Sequence, residues 1–167
     1  MGLNAIPSLF TLANLAFGLL SLNYTREESY QMAAITILLC MILDGLDGRI
    51  ARKLDASSNF GKELDSLADI VSFGVAPALL VYAQVLENFH WVGLISVIWF
   101  AVAGAYRLAR FNTQNISGHF VGVPITAAGS FLALLNLLPF QIPAQVFLGV
   151  TLLLGILMVS KIKVPKY

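Results

Sequence analysis

The chain has 167 residues, of which 58% are hydrophobic and only 11% charged, and its mean hydropathy is +0.82. A water-soluble domain of this size carries about 25% charged residues, so the composition excludes an ordinary soluble protein and predicts an integral membrane protein. The net charge of +1 says little; the placement of the charges says more.

Six apolar segments approach the roughly 20 residues that a membrane-spanning helix needs. In chain order they run from about Asn4 to Asn23, Ser29 to Lys53, Lys62 to Leu86, His90 to Phe111, Gly122 to Leu138 and Pro143 to Ser160. No Lys or Arg precedes the first. Its apolar run from about Ile6 to Leu22 also exceeds the roughly 7–15 residues of a signal-peptide core, so a retained helix is expected. Pro77 is expected to bend the third segment, because proline removes a helical hydrogen bond. The fifth is short. Cys40, the single cysteine, lies within an apolar run and reads as a small packing residue. Neither a repeat nor a second domain is visible, so residues 1–167 are expected to form one transmembrane domain.

Charge placement orients the six spans. Arg49, Arg52, Lys53, Lys62, Arg107, Arg110, Lys161, Lys163 and Lys166 fall on the side that holds both termini, and only Arg26 falls on the other. Positive residues mark the cytoplasmic side. The expected fold is therefore all-α and polytopic, with six transmembrane helices, both termini cytoplasmic and a location in the cell membrane.

The informative stretch is Asp44 to Asp69, DGLDGRIARKLDASSNFGKELDSLAD. Asp44 and Asp47 are three apart, and Asp65 and Asp69 four apart, so on helices each pair shares a face. A short polar connection around Ala56 to Asn59 lets the two acidic faces meet. Four facing carboxylates require a compensating charge, and hard divalent cations take carboxylate oxygens. An EF-hand is excluded, because from Asp44 the second acid falls at position 4 and the glycine at 5. Gly48 removes a side chain beside Asp47, Arg52 lies one turn further on, and Gly61 lies one turn before Asp65. An arginine beside acid-held metal suits a phosphate or pyrophosphate. The residues point to a metal-dependent site for a phosphorylated ligand, facing the cytoplasm.

The pattern Asp44-x-x-Asp47-Gly48-x-x-Ala51-Arg52, eight residues, then Gly61-x-x-x-Asp65-x-x-x-Asp69 resembles the signature of the CDP-alcohol phosphatidyltransferase family, with all eight positions filled. The resemblance implies six transmembrane helices and a homodimer. It implies that Asp44, Asp47, Asp65 and Asp69 are metal ligands for two divalent ions, Mg2+ or Mn2+, and that Asp69 is also the general base. Gly48, Arg52 and Gly61 would contact the CDP part of the lipid. DSLADIVSFGVAPA from Asp65, YRLARFN from Tyr106 and FVGVPIT from Phe120 are similar to the phosphatidylserine synthase branch. So is the opening Pro7 to Asn14, where Thr11 and Asn14 would face the nucleotide and Ser8 replaces the more usual asparagine. The expected partners are CDP-diacylglycerol, or its archaeal ether-lipid analogue, L-serine and membrane lipids, and no nucleic acid.

Serine brings a carboxylate. Arg107 and Arg110, three apart near the end of the fourth helix, share a face. One is expected to bind the carboxylate bidentately, with Asn112 orienting the amine. The same arginines suit glycerol 3-phosphate or inositol phosphate as acceptor. A divalent-cation transporter is the alternative of another class; Arg52 beside the acids opposes it.

Overall fold

The structure is a computed structural model that describes residues 5–53, 58–113, 119–138, 142–161 and 163–165. Its elements are α1 (Ala5–Arg26), α2 (Tyr30–Lys53), α3 (Asn59–Asp69), α4 (Ala76–Val81), α5 (His90–Thr113), β1 (His119–Val121), α6 (Ile125–Leu137), α7 (Ala144–Val159) and β2 (Lys163–Pro165). The chain is all-helical apart from β1 and β2. They pair antiparallel, with Phe120 opposite Val164, a ribbon that the sequence reading does not contain.

Each expected apolar segment is a helical rod. α1 turns back into α2 through Glu27 to Ser29, where Glu28 takes φ +59°, and the two pack along one another more extensively than any other pair. Ser58 caps α3 by accepting from the Gly61 N–H at 3.0 Å, which satisfies one of the donors a helix start leaves free.

The third rod continues from α3 through a π-helical run, Ile70–Val75, into α4, then through a second π run, Tyr82–Leu86, and a 3-10 turn, Glu87–Phe89. The first π run begins directly after Asp69 and ends just before Pro77. π insertions are uncommon and are found most often beside functional sites. The expected bend at Pro77 thus takes the form of a widened helix ahead of the proline. Gly129 of α6 sits so close to the backbone of Phe73 that a Cβ there would collide with it, so α6 packs directly on the π run.

His90, at φ +49°, turns the chain into α5, which folds back on the third rod. Among the described residues, Asn59–Thr113 is the one helical stretch long and apolar enough to cross a membrane by length and composition, and Ile125–Leu137 and Ala144–Val159 are shorter apolar helices. α6 starts at Ile125 rather than near Gly122, because Gly122 has φ +76° and Pro124 is the N-cap. The core is built from Phe73, Phe100, Ile37, Leu80, Ile125, Leu132 and Met158, all fully buried. Many large apolar side chains face outward, among them Leu9, Trp91, Ile95, Val102, Leu153 and Ile156.

Candidate active site

The four carboxylates come from α2 and α3. Asp44, Asp47 and Asp65 each offer an oxygen, and these oxygens lie within 4.8 Å of one another. Asp69, one turn beyond Asp65 and 7% exposed, stands outside that triple. One oxygen of Asp65 and one of Asp69 are buried without a hydrogen-bond partner. Buried carboxylate oxygens without donors are costly. Converging hard oxygens with free lone pairs are the donor set a divalent cation takes, so these residues fit one.

Thr11 of α1 donates its hydroxyl to Asp47 Oδ2 at 3.0 Å and to the Pro7 carbonyl at 3.2 Å. The resemblance put Thr11 on the nucleotide; the structure places it on a candidate metal ligand, where it fixes the carboxylate's rotamer. Partners of that kind, behind a ligand, are worth about 10–100-fold in metal affinity. Thr11→Ala is therefore expected to raise the Mg2+ or Mn2+ concentration for half-maximal activity by about that factor, with Thr11→Ser recovering most of it. An unchanged metal titration would remove this role.

Asn14, one turn deeper on α1, is fully buried, and neither side-chain amide atom has a partner among the described residues. Its main-chain oxygen accepts from Ser72 Oγ at 3.1 Å and Cys40 Sγ at 3.4 Å. Cys40 is buried, as a packing residue should be. Gly48 is half-buried. Gly61 is engaged by the Ser58 cap. The side chain of Arg52 lies outside the described residues.

A cavity of ≈ 390 Å³ opens beside the acids, lined by Asp44, Lys62, Asp65, Ser66, Asp69, Arg107, Leu108, Phe111, Asn112, Pro124 and Thr126. Arg107 is 5% exposed, and its Nε is buried without a hydrogen-bond partner. Its charge and that of Asp69 act on one another. Asn112 donates through Nδ2 to Ser66 Oγ at 3.0 Å, which fixes the orientation of its amide. Arg110 does not line the cavity. It stacks over Tyr106, 5.9 Å from the ring centre, and donates to carbonyls at the end of α7. The two arginines that the spacing put on one face thus do different things. Lys62, Ser66, Pro124 and Thr126 join the site without having been singled out. Ser66 stands between two signature acids and was legible there; Pro124 and Thr126 arrive from a distant segment.

A helical bundle with a carboxylate cluster of this spacing, opening onto a cavity that carries fixed cations, has the equipment of a phosphoryl-transfer enzyme of the membrane. The chain matches the CDP-alcohol phosphatidyltransferase family over residues 4–160, and it belongs to that family. It is 41% identical over 170 residues to the CDP-diacylglycerol–serine O-phosphatidyltransferase of Helicobacter pylori, covering 96% of this chain and 72% of that protein. To the enzyme of that name from Bacillus subtilis it is 39% identical over 166 residues, covering 99% and 92%. To that from Methanocaldococcus jannaschii it is 42% identical over 162 residues, covering 97% and 74%.

Proposed function

We propose that the chain transfers the phosphatidyl group of CDP-diacylglycerol, or of an ether-lipid analogue, to the hydroxyl of L-serine, giving phosphatidylserine and CMP in phospholipid biosynthesis. The observation that carries this reading is the convergence of Asp44, Asp47 and Asp65 beside a cavity that also presents Asp69 and Arg107. The names of its relatives point the same way.

Two divalent ions, Mg2+ or Mn2+, held by Asp44, Asp47, Asp65 and Asp69, would neutralise the pyrophosphate and the charge that develops as CMP leaves. Asp69 takes the proton of the serine hydroxyl. The freed oxygen bonds to the phosphorus nearer the lipid, the bond from that phosphorus to the CMP oxygen breaks, and CMP departs with the electron pair. Arg107 holds the serine carboxylate through a charge-assisted bidentate contact. Asn112, its amide nitrogen committed to Ser66, turns its carbonyl oxygen to the serine ammonium. Gly48, Arg52 and Gly61 receive the CDP portion, and Asn14 supports it from α1.

The whole chain forms one membrane domain of six spans with both termini and the acidic cluster on the cytoplasmic side. The basic residues gathered on that side and the outward apolar side chains support this. The same apolar surface would also accommodate the second subunit of a homodimer.

Lys62 beside Arg107 in the cavity favours a second reading, an acceptor that carries phosphate. The same two cations oppose a cation-permeation path. CMP release separates these readings. With purified protein, CDP-diacylglycerol and Mg2+ or Mn2+, L-serine is expected to support release, EDTA to abolish it, and glycerol 3-phosphate and inositol phosphate to support none. Release with a phosphorylated acceptor alone would reassign Arg107 to phosphate; release that survives EDTA would remove the metal.

A further inference from the structure

An α-helix leaves its last carbonyl oxygens without partners inside the helix, and in apolar surroundings such groups must be met from elsewhere. The end of α7 is met from two other segments. Arg110 of α5 donates through Nη1 to the Val159 carbonyl at 2.9 Å and through Nη2 to that of Ser160 at 3.2 Å, with that of Met158 at 3.5 Å. The Val123 N–H donates to the Leu157 carbonyl at 3.3 Å. Gly122, at φ +76°, lies so close to the Met158 carbonyl that a Cβ there would collide with it. Gly122 and Val123 lead straight into Pro124 and Thr126, which line the cavity with Asp69 and Arg107. Arg110 therefore grips the same helix end on which the cavity's far wall rests.

We propose that Arg110 is a positioning residue for the acceptor substrate: by holding the carbonyl end of α7 it fixes the Gly122–Val123 turn, and through that turn the Pro124–Thr126 wall of the acceptor cavity. This rests on the reading of the cavity as the acceptor site and assigns Arg110 no contact with the acceptor. Arg107 meets the substrate; Arg110, one helical turn on, sets the shape of the space in which it does so.

The test compares Arg110→Ala, Arg110→Lys, Gly122→Ala and the double variant Arg110→Ala with Gly122→Ala. Each is made in the full chain and assayed by CMP release with the acceptor that the unsubstituted protein uses, L-serine first. Misplacing a substrate wall by about 1 Å can cost up to roughly a hundredfold. Arg110→Ala and Gly122→Ala are each expected to raise the acceptor KM about tenfold or more, with the KM for CDP-lipid changed by less than about threefold. The double variant should be no worse than about twice the more damaged single one, because both act on one clamp. Arg110→Lys should recover much of the loss, because an ammonium still binds helix-terminal carbonyls; a lost bidentate carboxylate contact would not be recovered in that way. The proposal is overturned if Gly122→Ala leaves the acceptor KM unchanged while Arg110→Ala raises it, or if the two effects multiply. Where Gly122→Ala does not fold, the lysine variant decides: no recovery relative to Arg110→Ala overturns the clamp. Use of a phosphorylated acceptor by the unsubstituted protein would overturn the serine reading and leave the clamp to be measured with that acceptor.

Discussion

Asp69→Asn is expected to lower kcat by about 10²–10⁴-fold, the range that a positioned general base contributes, while CDP-lipid binding stays measurable. Asp69 is the carboxylate best placed for that role. It lines the cavity, lies outside the tight triple of Asp44, Asp47 and Asp65, and keeps a buried oxygen with no donor to satisfy. A carboxylate gripped on both oxygens would be a poor proton acceptor; one with a free lone pair facing the cavity is a competent one. Asparagine preserves the shape and removes the basicity. Asp44→Asn is the contrasting variant, because it takes charge from the triple and should weaken metal binding first. The two are separated by measuring CMP release across a metal titration and CDP-lipid binding on the same samples. Near-full activity of Asp69→Asn would move the base elsewhere, and a defect cured by excess metal would make Asp69 a ligand only.

Arg107→Ala is expected to raise the serine KM by about 10–100-fold, as a charge-assisted hydrogen bond worth roughly 1.5–3 kcal/mol is lost, with a much smaller effect on the KM for CDP-lipid. Arg107 is buried beside Asp69, and its Nε has no partner among the described residues. A buried guanidinium with an open donor is poised for an anionic group. Arg107→Lys should restore the charge and only part of the affinity, because an ammonium cannot make the fork contact. Equal rises in both KM values would place the guanidinium on the CDP-lipid, or make it a structural counter-charge to the acids.

The six rods were legible because apolar length is a strong signal and each run is bounded by polar or proline-containing stretches. The acidic cluster was legible because i,i+3 and i,i+4 spacing fixes which side chains share a face, and the helices on either side of the polar connection had to pack. What stayed hidden depends on contacts distant in sequence. Nothing near Thr11 announces that its hydroxyl meets Asp47. The spacing of Arg107 and Arg110 was read correctly as one face, but a face one turn long can touch two different things. The carbonyls that claim Arg110 belong to a helix some fifty residues away. The β1–β2 ribbon was invisible for the same reason, as its two strands of three residues each lie on opposite sides of two helices. The π runs leave no compositional trace beyond Pro77, because the residues in them are ordinary helix-core residues.

The π run after Asp69 also makes the third rod intolerant of changes in length. Each residue of an α-helix advances the side-chain direction by about 100°. Removing one residue between Ile70 and Val75 would let the segment relax to regular α-helix and close its wide turn. The phase gained there would be lost, and Asp65 and Asp69 would swing relative to everything that follows, including the Phe73 backbone on which α6 rests. A one-residue deletion in a surface loop is commonly absorbed; here it acts like a twist applied to a crankshaft, with the carboxylates at one end and the packed core at the other. Directed-evolution libraries for altered acceptor use should therefore vary side chains in this rod and hold its residue count fixed.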